Sequence, residues 1–96
     1  MTTHELKIWP EFFEAVASGA KTFDVRLNDR SFASGDVLDL REWKPAYVNS
    51  ANGDYTGRTL KMLVTYVMHG GVQPGLIMPL RGIVKGYCVL GIKSIE

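Results

Sequence analysis

Apolar and polar residues alternate over several short stretches of the chain, a pattern typical of half-buried β-strands. Leu6 and Ile8 share one side of the first stretch, and a similar alternation runs over residues 21–28. Further strands are predicted over 37–44, 58–69 and 83–95. The pattern therefore favours a chain built mainly from β-structure.

A short helix is predicted after the first strand. It starts at Pro10, because a proline in the first turn of a helix gives up no hydrogen bond. Phe12, Phe13 and Val16 follow at helical spacing and are expected to face the core. Gly19 is well placed to end the helix in a left-handed conformation.

Two segments read as loops. Residues 45–57 are rich in turn-forming side chains, and residues 70–82 hold several glycines and prolines beside apolar residues that could cover a neighbouring surface. With one helix and about five to six strands, the fold class is α+β, mainly β, as a single domain over 1–96. Short connections favour an antiparallel sheet curled into a small barrel, with the helix sealing one end.

Composition places the chain among ordinary globular proteins. Hydrophobic residues make up 46% and charged residues 22%, and a net charge of +1 excludes a strongly basic coat for nucleic acid. The charge is uneven: six Lys/Arg stand against nine Asp/Glu in residues 1–56, but five against one in 57–96. The second part forms either a weak basic patch or solvated strand faces.

The single cysteine, Cys88, excludes an intrachain disulfide and favours a reducing, cytoplasmic location. It lies in an apolar run where a buried thiol is expected. His4 and His69 have no metal-site spacing and are expected at the surface or at strand ends, so we expect no metal and no cofactor. The chain opens without the features of a signal peptide, and no apolar stretch approaches ~18 residues, so no membrane association is expected.

The polar side of residues 21–28 is the first candidate for chemistry. Lys21, Asp24 and Arg26 place two cations and a carboxylate close together, and such a trio can hold a phosphate or a nucleobase edge. The alternative is an exposed salt-bridge face that contributes little to stability.

Glu42 is the second candidate, because it continues the apolar row of Leu38 and Leu40. A carboxylate on such a face is costly unless it is paired or open to a cleft. Pairing with Lys21 or Arg26 would satisfy it. Otherwise Glu42 lies at the solvated end of its strand.

Aromatic side chains are the third candidate, since a nucleobase can stack on an exposed ring. In a small barrel, however, most large aromatic residues belong to the core, and we assign each of these there by preference. They are Trp9, Trp43, Tyr47, Tyr66 and Tyr87.

The octet Gly19-Ala-Lys-Thr-Phe-Asp-Val-Arg26 resembles the signature of ASCH domains, Gly-x-Lys-x-x-Glu-x-Arg, which belong to the PUA-like superfamily of small β-barrels. The opening His-Glu-Leu-Lys-Ile-Trp-Pro, residues 34–43, residues 55–58 and residues 86–92 extend the likeness over nearly the whole chain. Together they resemble a small bacterial and phage branch labelled domain of unknown function 3850.

This resemblance implies a cleft for RNA, a nucleotide or a modified nucleoside, lined by Lys21, Asp24 and Arg26. We expect Glu42, Trp43 and Lys7 to complete the ligand-binding set. The chain departs from the signature at Asp24, where the family has the longer Glu.

Some relatives are amidohydrolases that deacetylate N(4)-acetylcytidine with a Lys, a Thr and a Glu. By that pattern Lys21 would be the base and Glu42 the acid. The relatives' Thr lies three residues after the Lys, where this chain has Asp24, so Thr22 is the nearby hydroxyl. A binding module is the favoured hypothesis, and an amidohydrolase or a phage or host interaction module with a protein partner are the alternatives.

Overall fold

A computed structural model describes residues 1–46, 53–71 and 82–95. Along the chain run β1 (Thr3–Ile8), α1 (Pro10–Ala17), β2 (Phe23–Leu27), β3 (Val37–Lys44), β4 (Asp54–His69) and β5 (Tyr87–Ser94). Within these ranges the prediction of a mainly β chain with an N-terminal helix is confirmed. Tyr47 and most of the loop predicted at 70–82 lie outside the described residues.

The five strands form one curled sheet, a half-barrel, in the order β1-β3-β4-β5-β2. All neighbours are antiparallel except β1 and β3, which run parallel. The curl brings the two edge strands together, so that Nη2 of Arg26 on β2 donates to the carbonyl oxygen of Lys7 on β1 at 2.9 Å. A seam therefore lies between the edge strands β1 (Thr3–Ile8) and β2 (Phe23–Leu27), and the side chain of Arg26 bridges it.

The concave side of the sheet and one side of α1 enclose the hydrophobic core. Leu38, Leu40 and Leu90 are fully buried at its centre, and Cys88 is buried with them as predicted. The other core residues are Leu6, Ile8, Phe13, Val16, Phe32, Met62, Val64 and Ile92.

The helix begins at Pro10 and buries Phe13 and Val16, as the spacing predicted. The core assignment of Phe12 is wrong, because the residue is 43% exposed. Successive residues on a helix point about 100° apart, since 3.6 residues complete a turn, and on this helix the side that carries Phe13 and Val16 faces the core. Gly19 follows the helix with φ of 84°, which confirms the left-handed ending.

β2 turns its apolar side outward. Phe23, Val25 and Leu27 are 45–50% exposed, whereas Asp24 is buried. The alternation over 21–28 is thus confirmed as two faces, with the polar one directed to the interior of the sheet.

The outer face beside β2 is also apolar. Phe23 lies in register with Gly91 and Tyr66, and Val25 with Val89 and Met68. The core assignment is therefore wrong for Tyr66, and it is also wrong for Tyr87 and Trp9, which are exposed. Trp43 is half-buried.

His4 lies near the start of β1, in line with the expected strand end, and it is buried there and not exposed at the surface. Its Nε2 lies 2.9 Å from Oδ2 of Asp36, and the backbone N–H groups of Thr2 and Ala33 also donate to that carboxylate. These bonds, with that of His4 first, hold the pKa of Asp36 below its ordinary value against the effect of burial. The pair ties the start of β1 to the start of β3.

At eight residues, α1 is far too short to cross a bilayer, and the described part of the chain holds no other helix that could. The same ranges contain no group of three or more His, Cys, Asp or Glu side chains arranged to hold a metal ion.

Candidate ligand-binding cleft

The seam between β1 and β2 opens into a cavity of about 500 Å³. The end of β1, the first turn of α1 and the length of β2 form its walls. The lining residues are Lys7, Ile8, Trp9, Phe12, Lys21, Phe23, Asp24, Val25 and Arg26. Four of the six predicted ligand-binding residues are among them, and Trp43 and Glu42 are not.

Asp24 is the buried anchor of this cleft. Its Oδ1 lies 3.4 Å from Nζ of Lys21, and its Oδ2 accepts from Nε of Arg26 at 2.7 Å. The carboxylate is only 7% exposed, so two cations satisfy a charge that burial alone would penalise. The predicted trio is brought together in a cleft, and its three formal charges leave one net positive charge.

Backbone bonds fix the position of Lys21. After the left-handed turn at Gly19, the N–H of Lys21 donates to the carbonyl oxygen of Ala15 at 2.9 Å. The carbonyl oxygen of Thr22 then accepts from the N–H of Ile92 at 3.0 Å. The segment between α1 and β2 is therefore held to the helix on one side and to β5 on the other.

Aromatic rings flank the ammonium group of Lys21. Its Nζ lies 4.9 Å from the ring centroid of Phe12 and 5.4 Å from that of Phe23, within the range of cation–π attraction. Trp9 stacks on Phe12 at 6.2 Å with an interplanar angle of 11°. Sequence reasoning missed Phe12 and Phe23, although two adjacent phenylalanines and a phenylalanine beside Asp24 were the available signals.

Lys7 lies in the cleft at the point where Arg26 bridges the edge strands β1 and β2. Its Nζ lies 4.6 Å from the Trp43 ring and 5.9 Å from the Tyr55 ring, and its carbonyl oxygen accepts from Arg26. Trp43 thus touches the cleft through Lys7 and does not line the cavity. Lys7 itself lines the cavity.

Glu42 is bonded within a separate cluster. Its Oε1 accepts from Oγ1 of Thr56 at 2.6 Å and from Nε of Arg58 at 2.9 Å, and its Oε2 accepts from Nη2 of Arg58 at 2.7 Å. The expected pairing with Lys21 or Arg26 is therefore wrong, and burial of the residue also overturns the alternative of a solvated strand end. The bonds from Arg58, then Thr56, lower the pKa of Glu42 although burial alone would raise it.

A bulge in β4 supplies these partners. Arg41 pairs with Thr59 and Trp43 pairs with Tyr55, so the single residue Glu42 faces three residues of β4. Gly57, at the centre of the three, has φ of 93°, a conformation that favours glycine. Bulges re-aim side chains, and this one directs Thr56 and Arg58 toward Glu42.

Arg58 extends the cluster to the helix. Its guanidinium also donates to Glu14 of α1 and lies 4.5 Å above the ring of Phe13. The bonds to Glu42, then Glu14, raise the pKa of Arg58. The arrangement joins α1 to β3 and β4, which is a structural role.

The structure places the three residues predicted for a hydrolase, Lys21, Thr22 and Glu42, in different surroundings. Lys21 is paired with Asp24, Thr22 is exposed, and the carboxylate of Glu42 is bonded by Thr56 and Arg58. Among the described hydrogen bonds, none joins Glu42 to Lys21 or Thr22. Cys88 offers no alternative nucleophile, because burial, followed by the nearby carboxylates of Asp24 and Asp29, raises the pKa of its thiol.

Comparison with known proteins places the chain by sequence and by fold. The family model described as Domain of unknown function (DUF3850) matches residues 3–92. A protein of Escherichia phage P2, described as an uncharacterized 12.9 kDa protein in GpA 3'region, is 34% identical over 64 residues, which are 67% of this chain and 52% of that protein. The match thus spans about half the length of this relative.

A solved structure shares the fold. The crystal structure of hypothetical protein PH0355 has a TM-score of 0.60 to this chain, with 18% identity over 99% of this chain and 100% of that one. At this identity, the likeness concerns the arrangement of the elements alone.

Proposed function

This chain belongs to the family described as Domain of unknown function (DUF3850), and we propose that it binds a nucleotide or a short RNA segment in the cleft between β1 and β2. One observation carries the proposal: Lys21 and Arg26, both bonded to the buried Asp24, line the same cavity as the rings of Trp9, Phe12 and Phe23. We also propose that the fold is of the ASCH/PUA-like type, since residues 19–26, which resemble that signature, supply one wall of the cleft.

The chemistry of the cleft suits a nucleotide because it offers both kinds of contact that such a ligand needs. A base has an aromatic face, and stacking on an aromatic side chain contributes about 1–3 kcal/mol per base. A phosphate or a carbonyl edge takes charge-assisted hydrogen bonds from Lys21 and Arg26. Asp24 holds both cations in place before the ligand arrives, which reduces the ordering cost of binding.

Titration of the protein with mononucleotides and a short single-stranded RNA at low salt tests the proposal. We expect Phe23→Ala to weaken binding by roughly tenfold or more, the loss of about one stacked base. Lys21→Ala should weaken it as well. Lys61→Ala is the matched control, because it removes the same charge from an exposed position on β4. Absence of binding, or equal weakening by the control, would overturn the proposal.

The same protein samples distinguish a binding module from a hydrolase. We expect N(4)-acetylcytidine incubated with the protein to remain intact, since the carboxylate of Glu42 is engaged by Arg58. Release of acetate that disappears in both Lys21→Ala and Glu42→Gln would establish the amidohydrolase alternative. Release that survives both variants would point to a contaminating enzyme.

A further inference from the structure

The seam continues beyond the contact between Arg26 and Lys7 into a second cavity of about 420 Å³. On the basis of the proposed function, we propose that this second cavity is a phosphate subsite. The ligand is then a phosphorylated nucleotide or short strand and not a free nucleoside. Its base would lie in the first cavity and its phosphates in the second. Lys7 and Arg26 line both cavities, so one extended ligand can occupy them together.

The second cavity is rich in positive charge. Lys7, Arg26, Arg30 and Arg41 line it, against one lining carboxylate, Glu5. A phosphate is recognised by guanidinium groups because their paired N–H donors match its oxygens. The second cavity therefore has the donor set of an anion site, whereas the first also offers the rings of Trp9, Phe12 and Phe23.

Arg30 and Arg41 can each exchange one exposed carboxylate partner for a ligand at little cost. Arg30 lies 3.9 Å from Oδ1 of Asp29, and both side chains are about half exposed. Nη2 of Arg41 donates to Oε1 of Glu5 at 3.1 Å, again between exposed side chains. Exposed ion pairs of this kind contribute little, so a phosphate can replace these carboxylates.

The buried carboxylate of Asp39 nevertheless fixes the orientation of Arg41. Its Nε and Nη2 lie 3.3 and 3.2 Å from Oδ2 of Asp39, whose side chain is 11% exposed. Arginine has more N–H donors than one carboxylate oxygen occupies, so others stay available to a phosphate in the cavity that Arg41 lines. Tyr55 is half exposed on the same rim and provides a ring for a second base.

Affinity measurements with a nucleoside, its 5′-monophosphate and a dinucleotide test this inference on the full chain. We expect the monophosphate to bind roughly tenfold more tightly than the nucleoside, because of charge-assisted hydrogen bonds. Arg30→Gln and Arg41→Gln should remove most of that advantage and leave the nucleoside affinity unchanged. Lys61→Gln is the control of equal charge change, and thermal melting verifies that each variant is folded.

Failure of the phosphate subsite and failure of the proposed function give different binding results. If nucleoside and monophosphate bind equally, with an affinity that still depends on Phe23, the phosphate subsite is wrong and the proposed function stands. If both arginine variants weaken nucleoside and monophosphate equally, the subsite is also wrong. If neither compound nor the dinucleotide binds in a manner that depends on Phe23, the proposed function fails and this inference fails with it.

Discussion

Two buried carboxylates, Asp24 and Glu42, obtain their partners in different ways. The partners of Asp24 come from residues 21 and 26, so the local sequence was enough to predict the trio. The partners of Glu42 come from β4, 14 and 16 positions away, and reach it through a bulge. Alternation along one strand identified Glu42 as a residue in need of a partner but could not identify that partner.

Replacement of Arg58 by glutamine tests the role of the Glu42 cluster. The pKa of Glu42 is lowered in the folded protein, so the cluster stabilises the fold above the ordinary carboxyl pKa, and this stability is lost as pH falls through the lowered value. We expect Arg58→Gln to lower the free energy of unfolding at neutral pH and to do so less in acid. Urea denaturation at pH 7 and pH 3 measures both.

Lys61→Gln is the control for that experiment, because Lys61 is an exposed cation on the same strand. Its effect on the free energy of unfolding should be small at both pH values. A loss of stability by Arg58→Gln that is equal at the two pH values would contradict an electrostatic role for the cluster.

Cys88 should behave as an inert core residue. Its side chain is fully buried and desolvation raises the pKa of its thiol, so the reactive thiolate is scarce and shielded. We expect a thiol-reactive chromogenic disulfide at pH 8 to modify the native protein far more slowly than the urea-unfolded protein. Equal rates would show that the thiol is accessible in the folded state.

At the scale of elements, β2 shows what alternation can and cannot predict. Two faces were predicted and are present, but the side that faces inward depends on neighbours distant in sequence. β1, β3 and β5 already supply Leu6, Leu40 and Leu90 to the core. The edge strand β2 can therefore turn Phe23 and Val25 outward and line the seam with charge.

The orientation of β2 predicts unequal costs for two neighbouring substitutions. Val25→Thr alters an exposed side chain and should change the free energy of unfolding by no more than about 0.5 kcal/mol. Leu90→Ala removes a fully buried side chain and should cost about 2–5 kcal/mol. Urea denaturation of the two variants gives both values. A Val25→Thr cost comparable to that of Leu90→Ala would place Val25 in the core and reverse the strand.

At the scale of the whole molecule, the sequence patterns predicted a curled, mainly β chain with an N-terminal helix. They did not predict the parallel pairing of β1 with β3 or the seam between β1 and β2. Both are long-range features that depend on how the sheet closes. The cleft is a product of that closure, because Lys7 of β1 and Asp24 and Arg26 of β2 line one cavity only when the two edges approach.

Nuclear magnetic resonance of the ¹⁵N-labelled chain, titrated with a nucleoside monophosphate, tests most directly that the seam is the ligand site. We predict that the backbone amide signals of residues 7–9 and 21–26 and the indole N–H of Trp9 shift together with one dissociation constant. The amides of Lys61 and Leu63, on another part of the sheet, should stay unchanged. Saturable shifts confined to residues outside the seam, or no shifts at millimolar ligand, would contradict the account.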